Sequence, residues 1–167
     1  MSARYRIEPL ADHDRSAFSC GDTDLDRYFR EVVSQDVRRR AATAFVAVDA
    51  TTGVVDGFYT LSAADVDRRE LPAADAAKAP RYARVPAVLL GRLAVAQSRQ
   101  GEGLGDALLA DAFERAIVSG VGVHLMLVQP KTDRARSFYS RWGFLPLGAP
   151  SKLLFLPLAT AVRLLGG

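Results

Sequence analysis

Three glycines at alternate positions, Gly101, Gly103 and Gly105, follow Arg99 and Gln100. They lead into Asp106 to Ser119, where Leu108, Leu109, Ala112, Phe113, Ala116 and Ile117 recur at helical spacing. Glycines just ahead of a helix let the backbone bring several free N–H groups to one ligand, and the helix dipole favours negative charge there. The chemistry implied is anion binding, with a phosphate or pyrophosphate as the natural guest. No Lys-Ser/Thr pair follows the glycines, so this is not a Walker A loop. The alternating spacing and the lack of an opening βαβ unit also argue against a dinucleotide fingerprint. A second group able to do chemistry is Arg92, set inside an apolar run. An unpaired buried guanidinium is costly, so Arg92 must reach a cleft or a carboxylate. His13, His124 and Cys20 are scattered and form no metal-ligand cluster.

These groups need elements to hold them. Val88 to Val95 reads as a strand covered on both faces, interrupted at Gly91 and Arg92 where a bulge would turn ladder amides away from their neighbours. With the glycine turn and the helix ending before Gly120, it makes the central unit of the chain. Upstream, Tyr5 to Leu10 is an opening strand. Thr23 with Asp26 resembles a capping box for a helix carrying Leu25, Phe29, Val32 and Val33 on one face and running to about Arg40. Thr43 to Asp49 and Val54 to Ala64 form a hairpin across Ala50-Thr51-Thr52-Gly53, and Asp65 to Pro86 is an irregular or partly helical excursion. Downstream come a buried strand over Val121 to Gln129 and a helix from Lys131-Thr132-Asp133 to Gly143. Closing strands over Phe144 to Leu147 and Lys152 to Leu156 follow, then a last helical stretch over Leu158 to Leu165. The class is α/β with a mixed central sheet.

The chain has 167 residues, enough for one substantial core, and we expect a single domain over 1–167. Hydrophobic residues at 49% and charged residues at 25% are ordinary for a globular protein, and no apolar stretch reaches spanning length, so no membrane partner is expected. Met1 to Arg6 lacks the apolar core of a signal peptide, and a lone cysteine fits the cytoplasm. Net charge is +3, yet of 22 basic residues only Lys78, Lys131 and Lys152 are lysine. Arginine forks match phosphate oxygens, so the bias fits a phosphate-binding surface; it also fits a GC-rich genome.

Gln100, Gly103 and Gly105 satisfy the pattern Q/R-x-x-G-x-G/A, preceded by Leu93-Ala94-Val95 and followed by Ala135, Phe138, Tyr139, Gly143 and Phe144. In this the chain resembles the GNAT superfamily of N-acetyltransferases. The resemblance implies a mixed sheet with helices on both faces and splayed fourth and fifth strands, with acetyl-CoA as cosubstrate. It implies that Arg99, Gln100, Gly101, Gly103, Leu104 and Gly105 hold the pyrophosphate, that Leu93 and Val95 hold the pantetheine arm, and that an N–H near Leu93 or Ala94 meets the thioester carbonyl. Tyr139 stands where many members place the general acid that protonates the departing thiolate. A phenol of ordinary pKa about 10 is protonated at neutral pH and can donate as charge develops on sulfur. Thr132 replaces a frequent asparagine and is left out of the binding set, and His124 is read as structural.

The N-terminal half narrows the resemblance. Phe18-x-Cys20-Gly21-x-x-x-Leu25-Asp26-x-Tyr28, Gly57-Phe58-Tyr59-Thr60-Leu61 and Val85-Pro86-x-x-Leu89-Leu90-Gly91-Arg92 look like the GNAT toxins of type II toxin-antitoxin modules. That branch acetylates the α-amine of aminoacyl-tRNA and blocks translation, pairs with a ribbon-helix-helix antitoxin and usually forms homodimers. Arg38 and Arg92 are the candidate substrate-binding residues, within a wider set of Arg39, Arg40, Arg81, Arg84, Arg134 and Arg136. The alternatives are a housekeeping acetyltransferase of a small amine or protein N-terminus, and a non-catalytic acetyl-CoA-binding module.

Overall fold

The computed structural model describes residues 4–150 and 152–166, so Met1 to Ala3 of the N-terminal stretch lie outside it. Seven strands form one mixed sheet in the order β1-β2-β3-β4-β5-β7-β6. They are β1 (Tyr5–Pro9), β2 (Thr43–Asp49), β3 (Val55–Asp67), β4 (Arg84–Val95), β5 (Leu125–Val128), β6 (Leu145–Pro146) and β7 (Leu154–Pro157). Neighbours run antiparallel in β1/β2, β2/β3, β5/β7 and β6/β7, and parallel in β4/β5. The helices are α1 (Thr23–Arg27), α2 (Val33–Arg38), α3 (Ala73–Lys78), α4 (Leu104–Val118), α5 (Asp133–Trp142) and α6 (Leu158–Leu164).

Two compact units divide the chain. The first takes residues up to Ser62 together with Gly91–Ala112. Past a bulge at Asp56, β3 alternates over Gly57 to Tyr59, so Phe58 faces one side while Gly57 and Tyr59 face the other. On the Phe58 side lies the first helical segment, with Phe29 stacked on Phe58 at 4.1 Å and Phe18 edge-on to Phe29 at 4.8 Å. Such aromatic pairs add about 0.5–1.5 kcal/mol beyond the area they bury. On the other side α4 packs so close that a Cβ on Gly57 would lie 2.9 Å from Leu108 and 3.2 Å from the Ala94 carbonyl. Tyr59 anchors the same helix through its hydroxyl, which donates to Asp111 at 2.6 Å. Within this unit, helices therefore cover both faces of the sheet.

The second unit takes Ala63–Leu90 and residues from Phe113 on. Val85 and Ala87 on β4 and Leu125 and Leu127 on β5 share a core with Leu71 and Ala79. Those last two belong to the excursion, which is a short 3-10 turn and α3 pinned down by apolar side chains.

Several local expectations are corrected. The helix cap is Asp22, whose carboxylate accepts from the Asp24 and Leu25 N–H groups at 3.0 and 3.2 Å, and Thr23 is already helical. The helix ends at Arg38 rather than about Arg40 and contains a π-helical turn over Tyr28–Val32 that offsets its buried face; Arg40 takes φ +59°. The strand expected from Val121 starts only at Leu125, because parallel pairing with β4 begins at Ala87 with Leu125, and Val121 is 69% exposed. Val88 to Val95 is not covered on both faces throughout: Gly91 and Arg92 are exposed and Leu93 and Val95 half-buried. The closing strand likewise begins at Leu154 rather than Lys152.

Candidate active site

The glycine loop folds as an open cradle. Gly101 and Gly103 adopt φ +80° and +89°, a left-handed conformation that costs residues with a Cβ about 1–2 kcal/mol. Helix α4 begins at Leu104, two residues earlier than its sequence pattern suggests, so Leu104 and Gly105 form its first turn. The first bond across that turn runs from the Ala107 N–H to the Gly103 carbonyl at 3.1 Å. First-turn amides ahead of it have no partner within the helix, and the dipole adds partial positive charge at the same place. Gly101, Glu102 and Gly103 are exposed beside them, while Leu104 is buried and plugs the loop into the core.

Side chains of the loop turn inward to hold its shape. The Gln100 amide nitrogen donates to the Cys20 carbonyl at 2.8 Å and to the Val95 carbonyl at 3.0 Å. The Arg99 guanidinium lies 3.5 Å from the buried Asp56 carboxylate, which also accepts from the Tyr5 hydroxyl at 2.9 Å. Burial and that bond push the Tyr5 phenol up to about 12. Glu102 meets Arg4 at 3.6 Å. Arg99 and Gln100 thus engage the protein with their side chains, and what the loop offers a ligand is mainly backbone. Asp56, Tyr5 and the Cys20 carbonyl carry no sequence signal of their own for this task, apart from the Phe18-x-Cys20-Gly21 motif.

In β4 the pairing with β5 ends at Leu90 with Val128. Gly91 leaves room for the Thr60 hydroxyl, since a Cβ there would sit a tight 3.0 Å from it. That hydroxyl takes the Arg92 N–H at 3.1 Å, so the amide expected to be turned toward a ligand has a partner in the protein. The Arg92 side chain is neither buried nor held by a carboxylate. Its guanidinium stacks over the Tyr28 ring at 3.6 Å, and the Tyr28 hydroxyl donates to Asp36 at 2.7 Å. Burial, with Asp36, pushes that phenol up to about 12, so it remains a donor. Arg38, Arg39 and Arg40 are exposed at the end of α2. The loop, Leu93 to Val95, Arg92 and Arg38 all belong to the first unit, where Gln100 ties the loop to Val95 and Tyr28 holds Arg92.

Tyr139 belongs to the second unit. Helix α5 is capped by Thr132, whose hydroxyl accepts the Ala135 N–H at 3.1 Å, and is closed by Gly143 with φ +105°. Tyr139 is buried, edge-on to Phe138 and Phe144 at 5.1 and 5.4 Å. Burial alone raises its pKa well above the ordinary phenol value, so the hydroxyl stays protonated. His124 is half-buried just before β5, and its desolvation lowers its pKa and keeps the ring neutral. Among the described residues, no helix is long and apolar enough to cross a membrane.

The family described as an acetyltransferase (GNAT) domain matches residues 40–146. A tRNA-acetylating toxin of Mycobacterium tuberculosis is 35% identical over 133 residues, 78% of each chain. Among solved structures, AtaT complexed with acetyl-methionyl-tRNAfMet is 32% identical with a TM-score of 0.86, covering 98% of this chain and 99% of that one. A tyrosine-to-phenylalanine AtaT mutant toxin bound to acetyl-CoA and the C-terminus of the antitoxin AtaR is 28% identical with a TM-score of 0.82, at 98% and 99% coverage.

Proposed function

Since the chain belongs to the GNAT acetyltransferase family, we propose that its acceptor is the free α-amine of aminoacyl-tRNA and that it acts as a translation-blocking toxin with acetyl-CoA as donor. The observation that supports this most is the exposed backbone cradle of Gly101 to Gly105, held open by Gln100 and Arg99 from behind. A pyrophosphate with its negative charge suits such a cradle, and the residues present fit it. We take residues 1–167 to work as one catalytic domain. Leu93, Ala94 and Val95 would line the pantetheine arm and offer a backbone donor to the thioester carbonyl, an interaction worth roughly 3–4 kcal/mol at the transition state. As the amine nitrogen bonds to the carbonyl carbon and the carbon–sulfur bond breaks, Tyr139 gives its proton to the departing thiolate, the amine proton leaves to solvent, and the phenolate takes a proton back from solvent before the next turnover. Arg92, held flat by Tyr28, and Arg38 face the acceptor. The reading extends to a ribbon-helix-helix antitoxin as protein partner, a homodimer as the working assembly and the cytoplasm as compartment; the antitoxin complex of AtaT supports an antitoxin partner.

Incubating the protein with acetyl-CoA and total charged tRNA, then weighing the aminoacyl adenosines, tests cofactor and acceptor together. Acetylated aminoacyl adenosine is the expected product, and thiol release with small amines alone would overturn the reading. The pH dependence follows from the same groups. An α-amine of ordinary pKa about 7.7–8 costs about 1 kcal/mol to deprotonate at pH 7, against nearly 5 for lysine. Tyr139 must be protonated to donate, and its pKa is raised, so no loss of acid function occurs below about pH 10. Turnover is expected to rise through pH 8 to a plateau at about pH 9; a falling limb that sets in below about pH 9.5 would exclude Tyr139 as the acid.

The acceptor's phosphates need cations. Arg84 is bonded to Asp65 at 2.6 Å, whereas Arg38 to Arg40 are exposed. Reversing these three charges is expected to weaken charged-tRNA binding and flatten its salt dependence, by about 0.7–0.9 in slope for each phosphate that is no longer neutralised, while sparing acetyl-CoA affinity. An unchanged slope would make them a solvated helix end.

A further inference from the structure

The Phe18-x-Cys20-Gly21-x-x-x-Leu25-Asp26 stretch lies far in sequence from the glycine loop and yet forms its floor. Two consecutive carbonyls receive donors from either side of the 3-10 turn over Gln97–Arg99: Ser19 C=O accepts the Gln97 N–H at 2.8 Å, and Cys20 C=O accepts the Gln100 amide at 2.8 Å. A Cβ on Gly21 would touch the Gln97 side chain at 3.6 Å, so the two segments are in contact. What orients the floor is Asp26. Its carboxylate, only 4% exposed, accepts the Cys20 N–H at 2.8 Å and the Ser19 hydroxyl at 3.4 Å. The Cys20 N–H and the Ser19 C=O are the two ends of one planar trans peptide and point in opposite directions. Fixing the N–H on Asp26 therefore aims the C=O at Gln97.

We propose that Asp26 is a positioning residue for the acetyl-CoA pyrophosphate loop, acting through the Ser19–Cys20 peptide, whose carbonyl holds the Gln97 N–H, and through the adjoining Cys20 carbonyl, which holds Gln100. The proposal rests on the reading of Gln100 to Gly105 as that loop. The two residues that Asp26 holds, Ser19 and Cys20, are the two whose carbonyls receive Gln97 and Gln100. Asp26 thereby sets the plane of the peptide on which the loop is built. The same helical segment continues into Tyr28, which carries Arg92, so one segment reaches both the cofactor loop and the acceptor-side arginine.

The test is calorimetric titration of CoA into the full chain, with acetyl-transfer kinetics alongside. Asp26→Ala is expected to weaken CoA binding and raise the acetyl-CoA KM about tenfold, the size of one hydrogen bond to a charged group, with kcat at saturation within about twofold. Asp26→Asn is expected to restore affinity, because a carboxamide oxygen still accepts the Cys20 N–H. Gln100→Met removes the bond to the adjoining Cys20 carbonyl and should give a similar loss, and combining it with Asp26→Ala should be less than additive, because both act on the one Ser19–Cys20 floor. A folded Asp26→Ala protein with wild-type CoA affinity overturns the proposal; if Asp26→Ala does not fold, wild-type affinity in Gln100→Met overturns it instead. Gly103→Val separates this from the underlying reading. If Gly103→Val loses CoA and Asp26→Ala does not, only the role of Asp26 falls; if folded Gly103→Val also binds normally, the loop itself is misassigned.

Discussion

Tyr139→Phe is expected to lower turnover about a hundredfold or more at saturating acetyl-CoA, with CoA affinity unchanged. The substitution removes one oxygen and keeps the ring, so the edge-on packing against Phe138 and Phe144 survives. Stability should change little. In the proposed role, what disappears is the proton that a departing thiolate needs. Single-turnover kinetics should show the deficit in the chemical step, not in product release. Wild-type turnover in the phenylalanine variant would reduce Tyr139 to a packing residue.

Gly103→Val should abolish measurable acetyl-CoA binding, by a factor of a hundred or more in affinity, equivalent to about 2.7 kcal/mol. Two effects act together. The φ of +89° is one that a β-branched residue does not accept without strain, so the loop must reshape. Even unreshaped, the added methyl groups would stand where phosphate oxygens approach the first-turn amides of α4. Gly103 is exposed and Leu104 holds the helix start in the core, so the fold should survive. Calorimetry on a variant with a normal melting curve is the check, and unchanged affinity would remove the cradle from the site.

The strand and helix order was legible because hydrophobic period and glycine punctuation act locally. Limits appeared where a distant partner decides. Val121 to Val128 is largely apolar, but only the part that finds β4 becomes strand, and Val121 is left exposed. Asp22 and Thr23 are both good caps, and Asp22, which follows the turn at Gly21 with φ +96°, is the one that takes the position. The π turn over Tyr28–Val32 adds a residue that no 3.6-residue pattern reveals. At the site, glycine spacing marks the backbone cradle, since a backbone role depends on which side chain is missing. Side-chain roles were harder. Gln100 reads as a ligand-binding residue by position, whereas its amide is spent on Cys20 and Val95. Arg99 finds Asp56, far away in sequence, and Arg92 finds an aromatic ring instead of the carboxylate that electrostatics alone would suggest.

The sheet order also bears on aggregation. Its outermost strands are β1 and β6, and each ends in proline, Pro9 and Pro146, which has no N–H to offer. Strand β6 is only two residues long, and β1 alternates the charged Arg6 and Glu8 with its other residues. Short, charged or proline-bearing edges are poor templates for another chain's backbone. Concentrated protein should therefore resist edge-to-edge fibril growth, and any self-association would have to use side-chain surfaces rather than continuation of the sheet.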